Sequence, residues 1–186
     1  MVRILPADAG DDADVQTLTW RAAVHNKLAD LHDAKGLAGF PFDYTPASLD
    51  PLARFVLQQI APDHVDAGDP LIDGLVAYLG ETLMRIGGGR WVWAGGRAVV
   101  RFDDGLGVPS VAPLSVLATT AEQHSGKQLI KVYAEVAAAV AARQTVDPSW
   151  EPAKLATTGV DPVPSEEPAK LATSGVDPVP SEDAAG

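Results

Sequence analysis

Glu81 is the side chain around which this sequence most readily builds chemistry. It stands in "DPLIDGLVAYLGETLMRIGGG", residues 69–89, a stretch with helical periodicity. At about 100° per residue, Leu71, Ile72, Leu75, Val76, Leu79, Leu83 and Ile86 cover one broad arc, and the opposite arc holds Gly74, Ala77 and Glu81. A carboxylate set among small residues on an apolar helix has a raised pKa once desolvated, which is how a general base is made. The structural alternative is that Glu81 pairs with Arg85 one turn on, or accepts a hydrogen bond from the indole of Trp91. That alternative carries more weight, because a single buried acid without a convergent second group rarely makes an active site.

Other chemistry-bearing types are scattered. His25 and His32 share a helix face with Asp33 adjacent, but a spacing of seven puts them too far apart for one metal ion, where i and i+4 would serve. His64 lies in a polar loop with Asp63 and Asp66, and His124 falls in the "QHSGK" turn, where capping is the plain explanation. "GGGRW" lacks the Gly-Lys-Ser/Thr ending of a phosphate loop and precedes a strand instead of a helix. The sequence contains no Gly-x-Ser-x-Gly elbow, no His-Glu-x-x-His and no dinucleotide fingerprint. Trp91 and Trp93 could offer a stacking surface, although tryptophans on a hairpin strand more often belong to a core. No cofactor and no metal is called for.

The elements that must position these groups read as follows. A helix is expected from Asp14, as N-cap, to about Asp33, with Trp20, Val24, Leu28 and Leu31 at helical spacing and Gly36 after it. "GLAGFPFDYTPASLD" is expected to cross the core as an ordered loop bearing Phe40, Phe42 and Tyr44. A second helix should run from Ser48 to Ile60, and the Glu81 helix from Asp69 and Pro70 to the glycine triplet, with neighbours on both sides. "RWVWAGGRAVVRF" reads as a β-hairpin turning at Gly95 and Gly96. "DDGLGVPSVAP" is a turn region with room for a short third strand, and two helices follow, Leu114–Glu122 and Lys127–Arg143. The fold class is α+β, several helices on a small antiparallel sheet.

The run "YLGETLMRIGGGRWVW", with the hairpin and "VAPLSVL" after it, resembles a loose class of small bacterial proteins, actinobacterial in type. That pattern is a Tyr-x-Gly-Glu helix, a glycine break, a Trp hairpin and a proline-started helix. Tyr78, Gly80, Glu81, Gly88, Gly89, Trp91 and Pro113 match it, over Leu49 to Tyr133. The resemblance implies the same fold and an adaptor-like or immunity-type role. The Ala, Gly, Asp, Val and Pro bias with few Lys fits a high-GC bacterial genome.

The chain has 186 residues, no cysteine and a formal charge of −11. From Asp147 onward, eight acidic side chains face two lysines, so six of the eleven negative charges sit in the last 40 residues. Phosphate binding needs a basic stripe, so nucleic acid is not an expected partner, and an anionic membrane is disfavoured for the same reason. "MVRILPADAGDDADV" is not a secretory signal, nothing reaches membrane-spanning length, and the expected location is the cytoplasm.

Two domains of different character are expected, a packed unit over 1–146 and a tail over 147–186. The tail holds a sixteen-residue unit twice, Glu151–Glu166 and Glu167–Glu182, differing only where Thr158 becomes Ser174. Each copy carries three prolines, no aromatic and few large apolar groups, so disorder is expected. Its apolar anchors are Leu155 and Val160 in one copy, Leu171 and Val176 in the other. A doubled weak motif gains avidity of roughly 10² to 10⁴ on a multivalent partner; a neutral tandem duplication explains the identity equally well. The leading expectation is a non-catalytic interaction or adaptor protein whose tail engages a protein partner, with Trp91 and Trp93 as a second candidate surface. The alternatives are an immunity-type inhibitor of a basic toxin and a small ligand-binding or enzymatic domain that uses Glu81.

Overall fold

The computed structural model describes residues 9–152, with side chains from residue 12. Five helices and one hairpin make it up: α1 (Ala9–His32), α2 (Leu49–Gln59), α3 (Pro70–Gly87), β1 (Arg90–Ala94), β2 (Arg97–Arg101), α4 (Pro113–Glu122) and α5 (Lys127–Val146). The class is α+β, as expected, with an antiparallel two-stranded sheet.

The axis of the structure is α3. Its start follows from two residues: Asp69 caps it, its Oδ1 accepting from the N–H groups of Leu71 (2.8 Å) and Ile72 (3.2 Å), and Pro70 fits the first turn, where its missing N–H costs nothing. Every residue from Ile72 to Gly80 is buried, a run that only a helix covered on all sides can carry. Helices α1, α4 and α5 and strand β2 pack against α3, and Trp91 of β1 reaches it at Gly80 and Glu81. Gly74 allows the close crossing with α1, since a Cβ there would stand 2.8 Å from Leu31 Cβ.

The hairpin pairs Trp91 with Val100 and Trp93 with Ala98, and turns on Gly95 and Gly96, both at positive φ as a two-residue turn of this hand requires. The third strand is reduced to one bridge between Val100 and Val111. Pro109 and Pro113 on either side of Val111 lack the N–H groups that a longer ladder would use.

Helix α1 begins at Ala9, not Asp14, so Asp14 lies inside it and is no cap. Asp12 and Asp14 suit that early start, because carboxylates in the first turns complement the positive end of the helix dipole. At the other end α5 runs to Val146, three residues further than expected. Asp147 Oδ1 then accepts from the N–H and hydroxyl of Ser149, and Trp150 packs back on the core, so packing continues four residues past Val146.

The aromatic loop closes on one tyrosine. Phe40, Phe42 and Tyr44 place their rings 5.2, 5.7 and 4.8 Å from that of Tyr78, which is fully buried. The Tyr78 hydroxyl accepts from the Tyr44 N–H at 3.1 Å and lies 2.8 Å from Ser48 Oγ and 3.1 Å from the Pro41 carbonyl. Burial raises its pKa. Tyr44 itself sits at φ +56, a conformation that non-glycine residues adopt only where packing imposes it.

Candidate functional site

Glu81 faces the hairpin. The indole Nε1 of Trp91 donates to its Oε1 at 2.9 Å, and Trp91 is 5% exposed. Gly80 makes the approach possible, since a Cβ at that position would fall inside the Trp91 ring. Burial pushes the Glu81 carboxyl above its ordinary range, while the indole hydrogen bond and the Arg85 charge pull it partly back. Arg85 makes its close contact elsewhere, its guanidinium 3.8 Å over the Tyr44 ring. Of the two structural roles open to Glu81, the indole bond is therefore the direct one. A carboxylate already accepting a hydrogen bond from a core side chain acts as a clamp on the hairpin.

The clamp continues into a cleft. Trp91 meets Trp20 of α1 edge-on, centroids 5.6 Å apart, and Trp20 meets Trp93 at 6.3 Å. Trp20 and Trp93, with Val76, Ala98 and Leu114, line a cavity of about 370 Å³ between α1, the start of α3 and the hairpin. That volume is at the lower end of ligand-binding pockets. Thr17 fixes the two walls: its hydroxyl accepts from the Trp93 N–H at 2.7 Å and donates to the Ala13 carbonyl at 2.8 Å.

Three charged side chains reach this cleft. Lys27 Nζ sits 2.6 Å from Asp73 Oδ2 and 4.9 Å from the Trp20 ring centroid. Asp73 Oδ1 also accepts from the Gly68 N–H at 3.2 Å, which satisfies a carboxylate that is nearly buried. Arg97 at the mouth donates to Ser115 Oγ at 2.7 Å. The cleft thus carries two cations against one carboxylate, while residues 9–152 as a whole carry 11 Lys and Arg against 18 Asp and Glu. Lys27 and Asp73 neutralise one another across 2.6 Å, so the cleft's net positive charge is that of Arg97.

The residues singled out from sequence fall in different places. Trp91 is core, Trp93 is a half-buried wall of the cleft, and Glu81, bonded to Trp91, is not among the residues that line it. Leu155, Val160, Leu171 and Val176 lie outside the described residues. His32 and His64 are exposed beside Asp33 and Asp63, and His124 occupies a turn at φ +47. Among the described residues no three His, Cys, Asp or Glu side chains converge as a metal set.

The sequence marks Trp20 only as a position on the apolar stripe of α1, and assigns no role to Lys27 or Asp73. Asp73 left a readable signal, a second lone acid among the apolar residues of α3. Lys27 left none, because its partner is 46 residues away. Compared with family models, with curated proteins and with solved structures, the chain matches none of them. No helix among the described residues is long and apolar enough to cross a membrane.

Proposed function

We propose that this chain is a cytoplasmic, non-catalytic interaction protein, in which the helical body carries a tail that presents one short motif twice to a protein partner. The observation that carries this reading is the tandem unit itself. Fifteen of its sixteen positions are identical between the copies, with Leu155 and Val160 in one and Leu171 and Val176 in the other as its apolar anchors. The geometry at Glu81 favours it further, because the sharpest candidate for a catalytic base is engaged in holding the hairpin to α3.

Pairing gives such a motif its purpose. Two weak contacts on one multivalent receptor exceed one by roughly 10² to 10⁴ in apparent affinity when the linker spans both sites. The test compares affinity capture from a lysate of the source organism by the full chain, by a chain ending at Trp150, and by a chain lacking residues 167–182. The expected result is one specific partner held by the full chain, weakened by loss of one copy and lost with both. Retention of the same partner by all three would make the tail a spacer and overturn the reading.

A further inference from the structure

We infer that the cleft between α1, the start of α3 and the hairpin is a docking site for the proline-containing half of the chain's own repeat, "VDPVPSE", Val160–Glu166 or Val176–Glu182. This goes beyond the tail's role toward a partner, because it makes the body itself a receptor for the tail.

Chemical fit comes first. Each "VDPVPSE" contains two prolines, two valines, one Asp and one Glu, and no base. Its prolines bias it toward an extended polyproline conformation that costs little entropy to bind. Aromatic-lined grooves recognise such segments, and the half-buried Trp93 offers its ring as a wall, backed at 6.3 Å by the buried Trp20. Charge complements shape. Arg97 at the mouth is exposed and spends one nitrogen on Ser115, leaving the rest of its fork for a carboxylate, while Lys27 at the inner end is neutralised by Asp73. The remainder of the body repels an acidic segment, with 17 acidic against 9 basic side chains over residues 9–152 outside the cleft.

Reach is sufficient within one molecule. Val176 lies 24 residues beyond Pro152, a span of up to about 80 Å when extended, whereas a packed unit of this size is on the order of 40 Å across. Tethering holds such a segment at an effective concentration on the order of millimolar, enough to seat a weak motif. One cleft takes one copy and leaves the other available.

The test uses the full chain, whose lack of cysteine permits a single engineered label. A nitroxide is attached at Ser165→Cys or, separately, at Ser181→Cys, and the broadening of backbone amide signals is mapped. The expected result is several-fold stronger broadening at Gly68, Trp93, Gly96 and Ala98 than at Gly36 and Gly39, unchanged on dilution. It should be abolished by Val160→Asp, Val163→Asp, Val176→Asp and Val179→Asp together, and reduced by Arg97→Glu. Broadening that is uniform, centred elsewhere, or present only between labelled and unlabelled molecules overturns the inference. Because no outside partner is involved, that failure would leave the capture experiment on the tail untouched.

Discussion

The indole of Trp91 donates to Glu81 across 2.9 Å and lies on the bare backbone of Gly80, so two consecutive residues of α3 grip one side chain of the hairpin. Replacing Gly80 by Ala sets a gain in helix propensity, about 1 kcal/mol, against a methyl group forced into an indole with nowhere to go. Overpacking of this kind costs roughly 1–3 kcal/mol and more when the neighbour is rigid. Gly80→Ala is expected to lower stability in urea unfolding and to shift the tryptophan emission of the folded protein. An unchanged midpoint would mean the ring is free to move.

Glu81 gives the pH dependence. Burial raises its folded pKa above the unfolded value, so the folded state holds the proton more tightly. The sign follows: the stabilising effect is full below the ordinary glutamate range and is lost as pH rises through the folded pKa. Glu81→Gln removes this titration and keeps an acceptor for the indole. The melting temperature of Glu81→Gln relative to the parent should therefore rise from pH 4 to pH 7. A difference that is flat across this range, measured by calorimetry, would place the carboxylate in a water-like setting.

Much of this architecture is legible in the sequence, and the division between what is and what is not has a physical cause. Helix α3 and the hairpin are punctuated by local chemistry, Asp69 and Pro70 at one end, the glycine triplet between, Gly95 and Gly96 at the turn, and local chemistry is what a sequence displays. The placement of Trp91 against Glu81 was readable as one of two options, because both lie within ten residues. The cleft was not, since its walls come from α1 and β1, joined by a Thr17 to Trp93 hydrogen bond spanning 76 residues. Tyr78 was visible as one more residue of a buried helix, while its service to the aromatic loop depends on partners 30 to 37 positions away.

That service is measurable. Tyr78→Phe keeps the ring contacts and deletes the oxygen that accepts from the Tyr44 N–H, leaving a part-buried donor unmet. The cost should be about 1–3 kcal/mol. Faster hydrogen exchange at the Tyr44 amide, with α5 amides unaffected, would localise the loss to the loop.

Lys27 and Asp73 form an ion pair that is mostly withdrawn from water, with side chains 23% and 10% exposed. Asp73→Asn leaves the ammonium without its counter-charge and should cost about 2–4 kcal/mol, near the range for breaking buried pairs. Combining it with Lys27→Met should recover most of that loss, because the uncompensated charge goes with it. Additive losses in the double variant, measured by denaturant unfolding, would show that the two side chains act independently.

The central position of α3 also bears on how the protein is made. One flank of the helix is covered by α1, which leaves the ribosome first, and the other by α5, which ends 59 residues after Gly87. At about 5–20 residues per second, a nascent chain spends roughly 3 to 12 s with the α5 side of α3 awaiting its last cover. Throughout that interval the most apolar helix of the body is a target for ribosome-associated chaperones, and slow codons placed between Gly87 and Val146 would prolong the exposure.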